Sequence, residues 1–280
     1  MMWILWLIIA LLVLLLAYAW AIHPNLPKRD ITPLLGVDYA HRGLWNTNDP
    51  GETNRPENSL AAFRAAVEKG YGIELDVHRT RDGALVVHHD DSLKRLTGKD
   101  IRTARSTLKE VRACKLPNGE SVPTFDEVLK TLAGRVPLIV EVKVEDGNHA
   151  LLARAVYDRM KRYSGPWCLE SFSPNAVKWF RLNAPEVIRG QLAFDSAGKG
   201  KTAFLFWRNI GIASMLQNFA SRPDFIAFEA KSVKWHSLPI HLLRLMKPWF
   251  VAWTVRSQED MDKYRKQWDL QIFEKFEARK

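Results

Sequence analysis

The chain carries the sequence GIELDVH at residues 72–78, and this stretch decides the fold that we predict. Apolar and polar side chains alternate along it, which is typical of a β-strand, where residues two apart lie on one face. Glu74, Asp76 and His78 therefore share a face of a strand whose other face is apolar. Two carboxylates side by side on such a strand repel each other and lose hydration, so the pattern indicates a bound cation.

A later strand adds a third carboxylate, in the sequence VEVK at residues 140–143. Glu141 and Lys143 share a face of this strand. Together with Glu74 and Asp76, Glu141 gives an oxygen-rich set at strand ends that suits Mg²⁺ or Ca²⁺. The alternative is that Glu74 or Glu141 forms a salt bridge at the end of the sheet, for example with Lys143. Several inward carboxylates at one strand end, with histidines nearby, favour the metal.

Two histidines, His41 and His89, each follow a predicted strand. A pair of imidazoles can divide general-acid and general-base work near neutral pH. The guanidinium of Arg42 suits a phosphate group. Because strand alternation places His88 and His89 on opposite sides, at most one of them points inward. We expect His78 and His88 to be structural residues.

Short apolar strands alternate with helical patterns from residue 37 onward, which favours a parallel sheet. A count close to eight βα units favours a closed TIM-type (β/α)₈ barrel over an open sheet. The predicted strands are 37–40, 72–78, 84–88, 136–142, 167–171, 187–192, 225–228, 249–255 and 270–273. The predicted helices are 59–69, 125–133, 148–162, 174–183, 203–219 with an interruption at Gly211, 237–246 with Ser237 as N-cap, and 258–267.

The N-terminal segment 1–22 contains no charged side chain. At ~1.5 Å per residue it spans ~30 Å, the thickness of the hydrocarbon core of a bilayer, and aromatic residues lie toward both of its ends. We predict an uncleaved, single-pass transmembrane anchor. A signal peptide cleaved near Ala17-Tyr18-Ala19 is the alternative, but it requires a basic n-region, and no basic residue precedes the apolar run. Lys28 and Arg29 follow the span, so the positive-inside rule predicts a membrane protein with a cytoplasmic catalytic domain.

After the anchor we predict a Pro-containing linker, residues 23–36, and one barrel domain, residues 37–276. All of the formal net charge of +10 lies beyond the anchor. A basic domain at a membrane attracts anionic lipids and phosphorylated substrates. No zinc finger, RNP-type motif or recognition-helix pattern occurs, so we expect no nucleic-acid partner. The two cysteines, Cys114 and Cys168, show no spacing typical of a disulfide framework.

Five short motifs occur in order between residues 41 and 90: HRG at 41–43, PENS at 56–59, ELDV at 74–77, TxDG at 80–83 and VVxHD at 86–90. Later segments are VPTF at 122–125, EVK at 141–143, SF at 171–172 and WTV at 253–255. In order and spacing this set resembles the glycerophosphodiester phosphodiesterase family, over roughly residues 37–275. The ordered set is far more specific than any one motif.

The resemblance implies a TIM barrel whose site lies at the C-terminal ends of the strands. It also implies a divalent metal ion, Mg²⁺ or Ca²⁺, as cofactor. Seven residues match functional positions of the family: the catalytic histidines His41 and His89, the metal ligands Glu74, Asp76 and Glu141, and the phosphate-contacting residues Arg42 and Lys143.

The implied reaction is metal-dependent hydrolysis of glycerophosphodiesters to an alcohol and sn-glycerol 3-phosphate. Lysophospholipase D-like hydrolysis of membrane lysophospholipids is an alternative, favoured by the anchor and by the aromatic, basic segment 204–208 with Trp235, although these aromatic residues also suit a helix core. Non-catalytic binding of phospholipid headgroups is a third hypothesis, which the intact His, Glu and Asp set disfavours. The family's final GVDGIxTDP segment is replaced by WDLQIFE at 268–274, and residues 191–234 match weakly.

Overall fold

The computed structural model describes residues 2–46, 54–195, 202–234 and 237–279, so Trp235 lies outside the described residues. Within these ranges nine strands form one sheet. The strands are β1 (Tyr39–His41), β2 (Gly72–Arg79), β3 (Leu85–Val87), β4 (Leu138–Val142), β5 (Trp167–Ser171), β6 (Arg189–Ala193), β7 (Phe225–Glu229), β8 (Trp249–Val255) and β9 (Leu270–Phe273). All strands except β3 run parallel to their neighbours, and β1 pairs with both β2 and β9, which closes the barrel. The predicted TIM-type fold is confirmed.

Strand β3 is a correction to the prediction, because it pairs antiparallel with the end of β2 and takes no place in the barrel. A turn with Gly83 at a φ of 91° joins the two strands. Such a short connection permits only an antiparallel hairpin, since a parallel strand requires a crossover of about a dozen residues. The hairpin lengthens β2 past the rim of the barrel and leads the chain to His89.

The helices surround the barrel at most of the predicted positions. They are α1 (Met2–Ile22), α2 (Leu60–Lys69), α3 (Lys94–Thr97), α4 (Leu108–Ala113), α5 (Phe125–Leu132), α6 (His149–Met160), α7 (Pro174–Asn183), α8 (Ala203–Ala213), α9 (Asn218–Ser221), α10 (Leu238–Met246) and α11 (Gln258–Tyr264). The short helices α3 and α4 were not predicted. Ser59 caps α2 by accepting a 3.1 Å hydrogen bond from the Ala62 N–H, and the left-handed Gly70 ends it.

One helix prediction is wrong in detail, and a second is confirmed only in part. The predicted helix 203–219 stays helical through Gly211 and breaks after Ala213, where Met215 adopts a left-handed φ of 57°. Ser237 occupies the predicted N-cap position of α10, but within the described residues its side chain makes no capping hydrogen bond. Its hydroxyl instead donates to Asp195 Oδ2 at 2.5 Å.

Buried apolar side chains form two layers in the barrel, and a third, smaller cluster joins Val86 on β3 with Val111 on α4. One layer lies between the strands and the outer helices, and Leu75 and Val140 are among its members. The other includes Tyr39, Ile139 and Cys168, which alternate with the outward residues and fill the barrel interior. These inward residues precede His41, Glu141 and Glu170 by two positions, so the same inward face becomes polar toward the C-terminal ends of the strands.

The segment 23–36, predicted as a linker, packs against the N-terminal end of the barrel. Ile31 and Leu34 are buried and belong to the interior layer. The Tyr39 hydroxyl donates to the Leu34 carbonyl at 2.7 Å, and the Trp249 indole donates to the Arg29 carbonyl at 2.8 Å. The segment therefore closes the N-terminal end of the barrel, opposite the polar residues at the C-terminal ends of the strands.

Helix α1 is long and apolar enough to cross a bilayer, by length and composition alone, and a signal sequence shares these properties. Its last turns contact the region around α9. The Tyr18 hydroxyl donates to the Ser214 carbonyl at 2.7 Å, and the Asn218 amide donates to the Ile22 carbonyl at 2.9 Å. The side chains from Met2 to Ala17 are exposed.

We expect Leu34→Ala to destabilise the chain by about 2–5 kcal/mol, because it opens a cavity in the barrel interior. Leu182→Ala is the matched control, since Leu182 is 62% exposed and its loss changes stability by about 0.5 kcal/mol or less. Urea unfolding of both variants in detergent measures the difference. Equal midpoints for the two variants would show that segment 23–36 does not contribute to the barrel core.

Candidate active site

The three predicted metal ligands lie together at the C-terminal end of the barrel. Glu74 and Asp76 point inward from β2, and Glu141 on β4 stands in register with Asp76. One carboxylate oxygen from each residue lies within 4.8 Å of the others, and all three residues are buried. Strand alternation and barrel closure together produce this cluster, as the sequence pattern predicts.

The carboxylates of this acidic trio affect one another strongly. Burial, followed by repulsion from Asp76 and Glu141, raises the pKa of Glu74 well above its ordinary value. Burial also raises the pKa of Glu141, although Lys143 opposes this effect. Burial opposes ionisation of Asp76 too, but the cations of Lys143 and Arg42 outweigh it and hold the pKa of Asp76 low. Full ionisation of the trio is therefore unfavourable without a further cation.

Lys143 and Arg42 supply the positive charge beside the trio. Lys143 Nζ lies 2.9 Å from Glu141 Oε2 and 3.0 Å from Asp76 Oδ1. Arg42 Nε lies 3.4 Å from Asp76 Oδ2, and a terminal nitrogen of its guanidinium donates to Glu57 at 2.8 Å. The salt bridge between Glu141 and Lys143, the alternative to a metal site, is therefore present within the same cluster.

A strained turn directs Arg42 toward this cluster. Arg42 has a left-handed φ of 59°, a conformation that costs a non-glycine residue about 1–3 kcal/mol. Its N–H donates to the Glu74 carbonyl at 2.9 Å, which fixes the turn to β2. Gly43 follows with a φ of 80°, and a Cβ there would lie 2.9 Å from the Ala62 backbone. The HRG motif thus requires its glycine for both conformation and space.

His41 at the end of β1 is held by a carboxylate that the sequence analysis missed. Its Nδ1 lies 2.6 Å from Glu274 Oε2, and its Nε2 lies 3.8 Å from Glu74 Oε2. Burial opposes ionisation of Glu274, but His41 and Arg256 outweigh it and lower its pKa to about 2. Because Glu274 is an ionised acceptor, Nδ1 of His41 carries the proton, and Nε2 is the nitrogen available for proton transfer.

His89 is held in a similar way by its neighbour in the sequence. Its Nδ1 lies 2.7 Å from Asp90 Oδ1. Arg95 connects this pair to the rest of the site, since it contacts Asp90 at 2.6 Å and makes two hydrogen bonds to Glu57. Burial lowers the pKa of His89, and burial likewise lowers the pKa of His41, with Arg42 as its next cause.

The other two histidines of this region lie away from the cavity. His78 and His88 are buried and stack on each other with ring centroids 4.3 Å apart. His88 Nε2 is 2.6 Å from the Thr103 hydroxyl, and His78 Nδ1 is 2.5 Å from Glu145. Both have the structural environment that we predicted for them.

A fourth buried carboxylate, Glu170 on β5, was not predicted. It stands in register with Glu141 and lines the same cavity. Its Oε2 has no hydrogen-bond partner within the described part of the chain. Burial, followed by repulsion from Glu141, raises its pKa well above the ordinary value. The signal in the sequence was a charged residue at the inward position of a short apolar strand, CLES, at 168–171.

The cavity at the mouth of the barrel has a volume of about 330 Å³, which suits a small ligand. Six of the seven predicted site residues line it, and the seventh, Asp76, lies buried behind Arg42 and Lys143. Aromatic and basic side chains complete its wall: Trp45, Phe172, Trp253, Arg256 and Lys275.

The residues of the acidic trio fit a divalent cation. Counting Glu170, four carboxylates face two cations, Lys143 and Arg42, and Arg42 is shared with Glu57. Burial, together with repulsion between these groups, raises the pKa values of Glu74, Glu141 and Glu170. Glu170 Oε2 has no hydrogen-bond partner among the residues that the structure describes. Carboxylate oxygens are the ligands that Mg²⁺ and Ca²⁺ prefer.

The sequence also matches a family model, described as the glycerophosphoryl diester phosphodiesterase family, over residues 41–268. The chain belongs to this family. The match runs from the last residue of β1 to Trp268, two residues before β9. The matched residues therefore cover most of the barrel that the structure shows.

Two curated relatives illustrate the range of the family. A glycerophosphodiester phosphodiesterase from Caldanaerobacter subterraneus is 37% identical over 116 residues, which cover 39% of this chain and 44% of that protein. Lysophospholipase D GDPD1 from Homo sapiens is 30% identical over 165 residues, covering 54% of this chain and 48% of that protein. The chain spans about half the length of these curated relatives.

Solved structures share the barrel fold. An Oleispira antarctica phosphodiesterase, in complex with the product sn-glycerol-3-phosphate, aligns with a TM-score of 0.66 at 21% identity, over 86% of this chain and 93% of that one. A glycerophosphodiester phosphodiesterase from Parabacteroides distasonis aligns with a TM-score of 0.64 at 25% identity, over 85% of this chain and 94% of that one. The fold is therefore that of glycerophosphoryl diester phosphodiesterases throughout the barrel.

We expect Mg²⁺ or Ca²⁺ to raise the thermal stability of the wild-type chain, by about 2.7 kcal/mol at a hundred times the Kd. The double variant Glu74→Gln with Glu141→Gln should lose this gain, and without metal it should be at least as stable as the wild type, because it lacks the repulsion. Glu68→Gln on the exposed side of α2 is the control and should keep the gain. A metal-induced rise in Tm in the double variant would contradict the assignment of the trio.

We expect the stabilising effect of Glu274 to depend on pH. Because its pKa falls from 4.5 to about 2 in the folded chain, its ionised form stabilises the fold above pH 4.5, and this contribution disappears as the pH falls toward 2. The difference in free energy of unfolding between the wild type and Glu274→Gln should shrink over that interval. Urea unfolding at a series of pH values measures it, and a difference independent of pH would contradict the contact with His41 and Arg256.

Proposed function

We propose that the chain is a phosphoric diester hydrolase that cleaves glycerophosphodiesters to an alcohol and sn-glycerol 3-phosphate. One observation carries this proposal. Two histidines, His41 and His89, line one cavity beside a buried acidic trio, and a carboxylate holds Nδ1 of each. This arrangement leaves both Nε2 atoms for proton transfer at a site rich in charge.

The proposed reaction uses the two histidines in complementary roles. One takes a proton from the nucleophile, which is water or a substrate hydroxyl. The oxygen of the nucleophile forms a bond to phosphorus, and the bond from phosphorus to the alcohol oxygen breaks. The other histidine gives its proton to that departing oxygen. When the nucleophile is water, the net change is the addition of one water molecule across the phosphodiester. When it is a substrate hydroxyl, the first product is a cyclic phosphodiester, and water opens it in a second displacement in which the two histidines exchange roles.

Positive charge at the site supports binding of the phosphate group. The guanidinium of Arg42 and the ammonium of Lys143 lie beside the trio, and both could contact non-bridging phosphate oxygens. We assign Glu74, Asp76 and Glu141 as the residues that hold a divalent ion, Mg²⁺ or Ca²⁺. When bound, that ion supplies charge neutralisation for the phosphate. The bound product of the Oleispira antarctica relative, sn-glycerol-3-phosphate, is consistent with this substrate class.

We also propose that α1 is a single-pass membrane anchor and that the barrel lies on the cytoplasmic side. The length and apolar character of α1 support the anchor. Lys28 and Arg29, which follow α1, support the orientation. Protease protection in sealed vesicles distinguishes this orientation from the opposite one.

We expect His41→Ala and His89→Ala each to reduce kcat for glycerophosphocholine by about 10²–10⁴-fold, because each removes one proton-transfer group. His241→Ala on α10 is the matched control and should retain wild-type activity. Release of glycerol 3-phosphate by the full-length chain in detergent, with Mg²⁺, Ca²⁺ or EDTA, measures the effect. Undiminished turnover in both site variants would overturn the proposed mechanism, and absence of turnover in the wild type with every metal would overturn the proposed reaction.

A further inference from the structure

Helix α1 is joined to the barrel by hydrogen bonds and not by a free linker. Besides the bonds that Tyr18 and Asn218 donate, Arg222 Nη1 donates to the carbonyls of Trp20 and His23, at 2.8 and 2.9 Å. The bonded groups of α1 lie in its last turns and in the residue that follows it. These contacts fix the direction of α1 relative to the barrel, so the position of the helix carries information about the position of the barrel.

Followed toward its N-terminus, α1 runs toward the mouth of the barrel. Arg222, which contacts the C-terminal end of α1, lies three residues before β7 and thus at the N-terminal ends of the strands. Ser214, which contacts Tyr18, lies two residues after Ile212, and Ile212 lines a cavity together with Lys143 at the C-terminal ends of the strands. The exposed part of α1 therefore projects beyond the end of the barrel that carries the active-site cavity.

The length of α1 determines how close the barrel lies to a bilayer. The exposed residues 2–17 span about 24 Å at the rise of an α-helix. The hydrocarbon core of a bilayer is about 30 Å thick, so the last turns of α1, which pack on the barrel, are needed to complete the span. Tyr18 and Trp20 then lie at the membrane–water interface, where such side chains are enriched. The parts of the barrel that contact them lie at the same depth.

Exposed apolar side chains flank α1 at this depth. We call Trp207, Leu216, Phe219 and Leu238 the docking face; they are 68%, 47%, 53% and 52% exposed. Helix α1 contacts both α9, which carries Phe219, and α10, which begins with Leu238. Trp20 of α1 packs edge to face on Phe219, with ring centroids 5.4 Å apart. The docking face is therefore continuous with the apolar surface of α1, and exposed aromatic residues beside an apolar helix are typical of a membrane interface.

Basic side chains are concentrated at the same end of the barrel. The segment 92–115, which follows β3, contains eight lysine and arginine residues and two acidic residues, so it carries +6 of the formal net charge of +10. Arg95 of this segment lines the active-site cavity, and Arg105 Nε lies 3.5 Å from Asp146, just beyond β4. Both contacts place the segment at the mouth of the barrel. Clustered basic side chains of this kind attract anionic lipid headgroups.

We propose that the mouth end of the barrel docks on the surface of the bilayer that α1 crosses. The docking face lies among the lipid headgroups, and the segment 92–115 lies over anionic headgroups of the same leaflet. This inference rests on the proposed anchor, because α1 supplies the direction and the depth. The active-site cavity then opens toward the membrane surface and not toward the bulk solution. The partner is the bilayer itself, since the docking face is continuous with α1 and shares its depth.

Spin labels measure the depth of single positions in the full-length chain, placed in nanodiscs of phosphatidylcholine and phosphatidylglycerol. The labels are attached to Trp207→Cys and Leu216→Cys. The matched controls are Leu182→Cys and Leu245→Cys, exposed positions on the last turns of α7 and α10, which lead into the N-terminal ends of β6 and β8. The two native cysteines are buried and remain unlabelled. We expect O₂ to collide with the docking-face labels more often than a water-soluble nickel chelate does, and the reverse order at the controls.

A second measurement tests the basic segment. Gadolinium ions attached to lipid headgroups should accelerate the relaxation of a label at Lys109→Cys on α4. They should leave a label at Lys161→Cys unchanged, because that exposed residue follows α6 at the opposite end of the barrel. The effect at Lys109 should decline in phosphatidylcholine alone and at high salt, since the attraction is electrostatic. Equal relaxation at the two positions would overturn the proposed docking of the mouth end.

A label at Leu12→Cys in α1 separates a failure of this inference from a failure of the proposed anchor, and neither result depends on hydrolysis. If the Leu12 label lies in lipid but the docking-face labels are as accessible to the nickel chelate as the controls, the anchor stands and the docking face is overturned. If only the docking-face labels lie in lipid, the docking face stands and the anchor fails. Docking-face labels shielded from both reagents, with spin–spin distances that fit a dimer, would overturn the proposal in favour of a second copy of the chain.

Discussion

The site depends on one electrostatic constraint, the placement of Glu74 and Asp76 two residues apart on a buried strand. Their repulsion increases when barrel closure brings Glu141 and Glu170 to the same end. The cations of Lys143 and Arg42 compensate part of this charge, and a divalent ion would compensate the remainder. The strained backbone at Arg42 and the contacts of Glu57 follow from the same requirement, because they hold a guanidinium at the rim of an acidic cluster.

The barrel separates stability from chemistry along its axis. At one end the segment 23–36 inserts Ile31 and Leu34 beneath the strands and completes an apolar interior. At the other end the same inward positions carry His41, Glu141 and Glu170. These strands therefore contribute to the core at their beginning and to the site at their end. In TIM barrels generally, the active site lies at the C-terminal ends of the strands.

Local periodicity was sufficient to predict much of the fold, and together with the family resemblance it indicated six residues that line the cavity. The strands at 167–171, 249–255 and 270–273 have the predicted bounds, and alternation placed Glu74 with Asp76 and separated His89 from His88. What it missed depends on contacts between distant parts of the chain. Glu274 contacts His41, which lies 233 positions earlier in the chain. Glu170 joins the site because the register between β4 and β5 places it beside Glu141. The break after Ala213 depends on a left-handed turn at Met215 that no glycine marks.

The most direct test of the account is a crystal structure of the full-length chain soaked with Mn²⁺ and sn-glycerol 3-phosphate, with the ion located by its anomalous scattering. The account predicts one ion bound by Glu74, Asp76 and Glu141, with the phosphate between that ion and the side chains of Arg42, Lys143, His41 and His89. An acidic trio occupied only by the ammonium of Lys143, with neither ion nor phosphate at the mouth of the barrel, would contradict it.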